Sequence, residues 1–377
     1  MSDWSLRDFI DNQTGDVRTA AHAPDARAGR FHRSMPGYAP SRVADAPGVA
    51  GLLGLRRLVV KLETERFGLP SFKILGASWA TCRALSRHAG RDEPCSTFAE
   101  LCELTATLHE VTLVAATDGN HGRAVAHMAR LLGLDAHILI PGHTATARVD
   151  AIAGEGATVD LVRGSYDDAV KASAELAGDA HLVISDTSWP GYQDVPDWVA
   201  DGYATIFDEL GAQLDEIPAL VAIQIGVGAL ASAAVRALAA PQRVIVGVEP
   251  ADAASTLQAV RAGEPVLVPG PHRSLMAGLN CGIASRVALP DMEAGMAAFC
   301  AIDDRATERA VQLLHADGLA CGETGAAGVA GLLALRERWP QRTWERFGLG
   351  AQQALEALVL CTEAPTDPAS FARITAG

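Results

Sequence analysis

Short apolar runs, many of them β-branched, alternate along most of the chain with alanine-rich stretches whose apolar residues recur at helical spacing. The apolar runs predict strands at 57–62, 112–116, 136–140, 158–162, 182–185, 220–225, 244–248 and 358–361. The alanine-rich stretches predict helices at 75–85, 123–132, 145–153, 167–177, 196–214, 229–239, 306–317 and 326–338. Strands that alternate with helices of this length indicate parallel sheets, and strands apolar on both faces indicate helices on both sides. The pattern therefore predicts an α/β protein.

The first forty residues do not follow this pattern. They are polar and contain three prolines, so we predict an irregular arm, residues 1–40, that lies over the surface. Farther along, 263–270 is rich in proline and glycine, and 276–285 has no helical or strand periodicity. Loops of this size in a compact domain are usually functional or cover a partner subunit.

The composition excludes several classes of function. Of the 377 residues 49% are apolar, as in globular proteins, and the formal net charge is −14. Nucleic acids and anionic membranes need basic patches, which a chain this acidic does not suggest. No apolar run reaches the roughly 18 to 20 residues of a membrane helix, and residues 1–15 lack the apolar core of a signal peptide.

The seven cysteines show no CxxC pair and no His/Cys spacing typical of a zinc site. An odd, scattered set predicts reduced thiols in a cytoplasmic protein and no metal site. We therefore expect a soluble cytoplasmic protein without a nucleic-acid or membrane partner.

Lys73 lies between apolar residues in the segment 70–77, directly after a predicted strand and at the start of a helix. Burial and the positive end of a helix both disfavour the ammonium form, and a lowered pKa is what a lysine needs to react with an aldehyde. On this segment alone, a lysine that extends to solvent from a half-buried turn explains the pattern as well.

Two glycine-rich turns follow predicted strands and lead into helices. In the turn 116–122 the backbone can approach a ligand closely, and first-turn N–H groups there suit a substrate carboxylate. The turn 224–230 contains small residues that can hold a phosphate through main-chain N–H groups. It lacks the third glycine of the dinucleotide fingerprint and the Gly-Lys-Ser/Thr of a Walker loop. An ordinary capped turn remains the alternative for each.

Together the three motifs resemble the fold-type II pyridoxal phosphate (PLP) enzymes, the group of tryptophan synthase β and threonine dehydratase. Their order is a lysine, an asparagine-bearing glycine turn and a phosphate loop. Longer segments resemble one family in this group, diaminopropionate ammonia-lyase, and these are 31–38, 65–70, 117–122, 186–192 and 276–282. The last two are more specific than any glycine turn.

The resemblance implies two open, twisted, mostly parallel sheets with helices on both faces. It implies a large PLP-binding domain of residues 1–80 and 205–377, with the arm 1–40, and a small domain of residues 81–204 inserted within it. The active site is then expected between the domains, as ligand clefts often are. A homodimer is expected from the resemblance alone.

For the cofactor, the resemblance implies that Lys73 holds PLP as a Schiff base and that Asn120 bonds its phenolic oxygen. Thr362 is the expected partner of the pyridine nitrogen. The phosphate would be held by five consecutive residues, Gly226, Val227, Gly228, Ala229 and Leu230. The family usually has a glycine where this chain has Ala364, which departs from the pattern at that turn.

For the substrate, the resemblance implies catalytic roles for Lys73, Asp118 and Asp186. Asp118 would abstract the proton from the D-isomer and Lys73 from the L-isomer. With Asp186, Asp118 would also pair with a β-ammonium group. Further substrate contacts are expected from Thr117, Gly119, His121 and Tyr166.

The implied reaction is PLP-dependent α,β-elimination of ammonia from 2,3-diaminopropionate, which gives pyruvate and two ammonia. A PLP-dependent dehydratase of 3-hydroxy amino acids, such as threonine, serine or hydroxyaspartate, is the alternative within this chemistry. A non-catalytic binding module and a nucleotide-binding oxidoreductase are the alternatives outside it, and the missing dinucleotide fingerprint counts against the second.

Overall fold

The computed structural model describes residues 6–12, 22–108, 110–117, 119–340, 342, 344–349 and 355–376. The strands in these ranges are β1 (Leu6–Asp11), β2 (Arg42–Asp45), β3 (Arg57–Leu62), β4 (Thr112–Ala116), β5 (Asp135–Pro141), β6 (Thr158–Val162), β7 (His181–Val183), β8 (Leu220–Gln224), β9 (Val244–Pro250), β10 (Ala298–Ile302) and β11 (Glu356–Cys361). The α-helices are α1 (Arg27–Ser34), α2 (Pro47–Leu53), α3 (Lys73–His88), α4 (Phe98–Thr105), α5 (Asn120–Leu132), α6 (Thr146–Ala153), α7 (Tyr166–Glu175), α8 (Asp194–Gln213), α9 (Ala229–Leu238), α10 (Ser255–Ala262), α11 (Leu289–Gly295), α12 (Asp304–Ala316), α13 (Glu323–Arg338) and α14 (Pro368–Thr375).

The larger sheet has the strand order β1-β10-β9-β8-β11-β3-β2. Its five inner strands run parallel, whereas the edge strands β1 and β2 pair antiparallel with their neighbours. The inner strand β11 is buried on both faces apart from its first residue, as the uninterrupted apolar run predicts. The carboxyl ends of β3, β8 and β11 therefore meet at one edge of the sheet.

The smaller sheet has the order β6-β5-β4-β7 and is parallel throughout. All four strands fall within the predicted inserted domain, 81–204, whose boundaries remain a prediction. Two mostly parallel sheets with covering helices confirm the predicted α/β class. The turn 117–122 follows the carboxyl end of β4, so this sheet also directs a glycine-rich turn toward the space between the sheets.

Helices α3 and α8 pack so closely that side chains are excluded at their crossing. A Cβ atom on Gly202 would lie 2.4 Å from the carbonyl oxygen of Leu75, and one on Gly76 would lie 2.5 Å from the ring of Tyr203. Side chains in cores interdigitate without voids. Gly202 therefore cannot be enlarged without moving a helix, and at Gly76 the buried Tyr203 and Val199 side chains would have to shift. The crossing fixes the first turn of α3, which begins at Lys73.

The prediction of an irregular N-terminal arm is wrong for the residues that the structure describes. Strand β1 pairs with β10 at the edge of the larger sheet, and α1 buries Ala28, Phe31 and His32 against the core. Ala28 lies three and four residues before Phe31 and His32, so these side chains share one face of the helix. The helix was missed because it has only eight residues and its other positions are polar or charged.

The prediction of reduced thiols is wrong for one pair of cysteines, because Cys321 and Cys361 form a disulfide. The bond joins the end of β11 to the segment that enters α13. The two residues are 40 positions apart, and a spacing of that kind carries no sequence signature of pairing. Among the residues that the structure describes, no helix combines the length and apolar composition that crossing a bilayer requires.

Candidate active site

A cleft lies where the carboxyl ends of β8 and β11 face the turn after β4. Ligands of open α/β sheets bind at this edge, outside the carboxyl ends of parallel strands. The residues that line it come from both sheets and are Phe72, Lys73, Thr117, Asn120, His121, Tyr166, Asp186, Gln224, Gly226, Val227, Gly228, Ala229, Leu230, Gly278, Leu279, Cys281, Thr324, Thr362 and Glu363.

Lys73 is the first residue of α3 and extends into the cleft. Its Nζ atom lies 2.7 Å from Asp186 Oδ2 and 5.4 Å from the centre of the Phe72 ring. The sequence predicts a desolvated lysine at a helix start but not this counter-ion. Burial destabilises the charged form of a lysine, whereas a nearby carboxylate stabilises it. Asp186 and burial therefore act on Lys73 in opposite directions.

Asp186 follows β7 and is buried between Lys73 and Tyr166. The hydroxyl of Tyr166 donates to its Oδ1 at 2.9 Å. Burial acts to raise the pKa of the Asp186 carboxyl, but the charge of Lys73 and the hydrogen bonds from Lys73 and Tyr166 outweigh it. The pKa therefore lies well below its ordinary value. The carboxylate stays ionised, which makes this wall of the cleft a site for a cation.

His121 is buried beside Asp186, and a contact with a backbone carbonyl determines which of its ring nitrogens carries the hydrogen. Its Nε2 lies 2.7 Å from the carbonyl oxygen of Ile184, an atom that can only accept, so Nε2 carries the hydrogen. Burial lowers the pKa of His121 and outweighs the opposing charge of Asp186, and Lys73 lowers it further. Nδ1 is then an acceptor, 4.0 Å from Asp186 Oδ2, and within the described ranges it has no hydrogen-bond partner.

The turn after β4 is held by the side chain of Thr117. Its Oγ1 accepts the N–H groups of Gly119 at 2.9 Å and Gly122 at 3.0 Å. A Cβ atom on Gly122 would lie 2.3 Å from Thr117 Cγ2, so the turn closes only with glycine there. Gly119 does not line the cleft, unlike Thr117, and Asp118 lies outside the described residues.

The turn between β8 and α9 is shaped as a phosphate cradle would be. Gly228 has φ +108°, a region that L side chains rarely adopt, and a Cβ there would lie 2.6 Å from Met292 Cε. A Cβ on Gly226 would lie 3.0 Å from the carbonyl oxygen of Gly278. The backbone can therefore approach a ligand directly at the start of α9, where helical N–H groups favour an anion. All five residues of 226–230 line the cleft.

Thr362, at the end of β11, is held by a residue that the sequence analysis missed. The amide nitrogen of Gln224 donates to Thr362 Oγ1 at 2.8 Å and to the carbonyl oxygen of Leu360 at 3.0 Å. Thr362 is the acceptor in this bond, so its own proton can be donated to an acceptor in the cleft. Gln224 could have been noticed as the one polar residue of an otherwise apolar strand, LVAIQ.

Glu363 is a second residue that the sequence analysis missed. Its carboxyl is buried, accepts a hydrogen bond from Asn120 Nδ2, and has its pKa raised by burial although Arg148, Thr324 and Asn120 oppose the shift. Asn120 begins α5 beside the smaller sheet, whereas Glu363 follows β11 of the larger sheet. The contact therefore spans the cleft.

The residues that are present fit PLP. Three features lie around one cleft: a lysine, a glycine turn whose side-chain space is already filled, and a threonine hydroxyl that accepts a hydrogen bond from Gln224. Lys73, Asn120 and Thr362 reach it from three separate parts of the chain. Their arrangement can hold an aldehyde, a phosphate and a ring nitrogen at the same time.

Comparisons with known proteins agree with this geometry. Residues 35–344 match the family model of the pyridoxal-phosphate dependent enzymes. The diaminopropionate ammonia-lyase of Escherichia coli K12 is 32% identical over 372 residues, which cover 95% of this chain and 92% of that protein. The biosynthetic L-threonine dehydratase of Haemophilus influenzae is 30% identical but is matched over only 60% of this chain and 40% of its own length.

A solved structure of the same family is similar to this chain over nearly its whole length. The crystal structure of E. coli diaminopropionate ammonia lyase in complex with an aminoacrylate-PLP azomethine reaction intermediate superposes with a TM-score of 0.86 and 29% identity. The match covers 98% of this chain and 96% of that one. The chain therefore belongs to the pyridoxal-phosphate dependent enzymes and, among them, to the diaminopropionate ammonia-lyase family.

Proposed function

We propose that this enzyme eliminates ammonia from 2,3-diaminopropionate and releases pyruvate and two ammonia, with PLP as its cofactor. The observation that carries the proposal is the buried, ionised Asp186, whose Oδ2 lies 2.7 Å from Lys73 Nζ. A carboxylate in this position can hold a β-ammonium group once Lys73 has turned to the cofactor. The relatives named above support the same substrate.

Four elements would hold the cofactor. Lys73 would bind the aldehyde carbon, the turn 226–230 the phosphate, Asn120 the phenolic oxygen and Thr362 the pyridine nitrogen. When bound, PLP supplies an electron sink for the pair released at the α-carbon. A threonine hydroxyl donates a hydrogen bond without carrying a charge, so Thr362 would leave the pyridine nitrogen unprotonated.

The substrate would be oriented by its two charged ends. The turn 117–121 suits the α-carboxylate, and Asp186 with Asp118 suits the β-ammonium. Tyr166 stabilises the Asp186 carboxylate through its hydroxyl. Keeping the β-nitrogen as an ammonium matters because a protonated amine leaves as neutral ammonia, a much better leaving group than the anion that an unprotonated amine would release.

Proton transfer at the α-carbon is assigned to two groups. Lys73 would take the proton from the L-isomer and Asp118 from the D-isomer, so the two bases would act from opposite faces. His121 would contact the substrate rather than transfer the α-proton.

The second candidate is a PLP-dependent dehydratase of 3-hydroxy amino acids, which the partial match to a threonine dehydratase favours. Asp186 argues against it, because a neutral β-hydroxyl gains less from a buried carboxylate than an ammonium does. The test is ketoacid formation from D- and L-2,3-diaminopropionate, measured beside serine, threonine and hydroxyaspartate. We expect the diaminopropionate isomers to give the highest kcat/KM. Negligible turnover of both isomers, with turnover of a hydroxy amino acid, would establish the alternative.

Location and assembly follow the sequence predictions of a cytoplasmic homodimer with a small amino-acid substrate and no nucleic-acid or membrane partner. The Cys321–Cys361 disulfide is evidence against the cytoplasmic part of this proposal, because disulfides are rare in that reducing compartment. Cell fractionation tests the location, and light scattering coupled to gel filtration tests the dimer. Limited proteolysis tests the proposed domain boundaries near residues 80 and 205.

A further inference from the structure

One hydrogen bond joins the two sheets at the cofactor end of the cleft. Asn120 Nδ2 donates to Glu363 Oε2, although the residues are 243 positions apart. Asn120 is the first residue of α5, and Glu363 follows β11 directly after Thr362. Both line the cleft, and Glu363 is 3% exposed.

The carboxyl of Glu363 cannot easily turn away from Asn120. The carbonyl oxygen of Glu363 accepts the N–H of Gly322 at 3.0 Å, which fixes its backbone. A Cβ on Gly322 would lie 3.2 Å from Glu363 Oε1, so the side chain is packed tightly on that flank as well. The Thr324 side chain also interacts with the carboxyl and acts to lower its pKa.

This contact determines which end of the Asn120 amide faces the cleft. An amide has one acceptor oxygen and a nitrogen with two N–H donors. Glu363 offers an acceptor oxygen whether or not its carboxyl is protonated, so it takes one N–H and holds the nitrogen in place. The second N–H remains for a ligand, whereas a rotated amide would present its oxygen instead.

We propose that Glu363 is a positioning residue, which orients the Asn120 amide so that it donates to the phenolic oxygen of PLP. The inference rests on the role proposed above for Asn120. It does not depend on the substrate, because its readouts are cofactor affinity and the absorption spectrum of the bound cofactor. Failure of diaminopropionate as a substrate would therefore leave it standing.

The test compares Glu363→Leu, which removes the acceptor, with Glu363→Gln, whose amide oxygen can still accept from Asn120. We measure the dissociation constant of PLP from each apoenzyme and the visible absorption of each holoenzyme. Glu363→Leu is expected to raise the dissociation constant about three- to tenfold, the worth of one hydrogen bond, and to shift the visible band. Glu363→Gln is expected to restore both values to near wild type.

The double variant Glu363→Leu/Asn120→Ala separates orientation from general damage. If Glu363 acts through Asn120, the double variant binds PLP no more weakly than Asn120→Ala alone. Additive losses, equal losses in Glu363→Leu and Glu363→Gln, or a wild-type spectrum in Glu363→Leu would each overturn the proposal. Circular dichroism of the apoenzymes verifies folding, and Glu363→Ala takes the place of Glu363→Leu in every comparison if the leucine variant does not fold.

Discussion

Lys73 Nζ and Asp186 Oδ2 lie 2.7 Å apart although the residues are 113 positions apart and follow strands of different sheets. The amine that we propose binds the cofactor is thus paired with a carboxylate that we propose binds the substrate. If Lys73 instead held the cofactor aldehyde, Asp186 would be a buried anion in need of a new cation. A β-ammonium would meet that need, and a β-hydroxyl would not.

Replacing Asp186 with asparagine tests this exchange of partners. The variant keeps the shape and removes the charge, so we expect kcat/KM for 2,3-diaminopropionate to fall about 10- to 100-fold, the worth of a hydrogen bond to a charged group. The fall for serine should be smaller, because its β-group is neutral. Steady-state assays with both substrates measure the ratio. An equal loss on both would show that Asp186 does not recognise the charge.

Asp167→Asn is the matched control for that experiment. Asp167 neighbours Tyr166 and accepts the N–H of Gly282 at 3.2 Å, but it does not line the cleft. An asparagine oxygen can accept the same hydrogen bond. The ratio of kcat/KM values for diaminopropionate and serine should therefore stay at its wild-type value in this variant.

Lys73→Ala is expected to abolish covalent attachment of PLP. The chain contains three lysines, and the other two, Lys61 and Lys171, do not line the cleft. Lys61 is fully buried and pairs with Glu209 at 2.8 Å. After borohydride reduction, mass spectrometry should find the cofactor mass on the Lys73 peptide of the wild type and on no peptide of the variant. Covalent PLP retained in Lys73→Ala would remove the basis of the assignment.

Local sequence patterns predicted the elements that carry the site. The structure has strands with the predicted bounds at 57–62, 112–116 and 158–162, and both glycine turns lie between a strand and a helix as expected. These features depend on residues close in sequence: an apolar run, a glycine with no room for a side chain, a lysine after a strand. Such short-range constraints can be read without knowing the fold.

Contacts between distant segments could not be predicted in the same way. Gln224 directs Thr362 from 138 positions away, and Glu363 holds Asn120 from 243 positions away. Only the parallel order of the strands and the packing of the two sheets bring these partners together. The Cys321–Cys361 disulfide was not predicted for the same reason, since pairing depends on distance in space and not on spacing in sequence.

Removing the disulfide should weaken the fold rather than the chemistry. A crosslink that closes a loop of 40 residues stabilises by roughly 3 to 4 kcal/mol in the chain-entropy model. Cys321→Ser is therefore expected to lower the free energy of unfolding by about that amount, measured by urea denaturation of the apoenzyme. Reductant should lower the wild-type value similarly and leave the variant unchanged. If reductant lowered the free energy of unfolding of the variant equally, the group that reductant affects would not be this disulfide. Cys300→Ser serves as the control, because Cys300 is a buried free cysteine.

His121→Gln tests the unpartnered acceptor beside Asp186. A glutamine nitrogen can keep the bond to the Ile184 carbonyl oxygen, but the acceptor Nδ1 is lost. We therefore expect KM for diaminopropionate to rise about threefold to tenfold, which corresponds to one hydrogen bond, and KM for serine to change less.

The histidine also adds a pH dependence that the variant lacks. Burial lowers the pKa of His121 despite Asp186, so the ring is neutral at neutral pH, and protonation follows only as the pH falls through that lowered pKa. Nδ1 then becomes a donor that repels an ammonium, so wild-type KM should rise toward acid pH while that of His121→Gln stays flatter. Parallel profiles for the two enzymes would mean that His121 shapes the turn and does not contact the substrate.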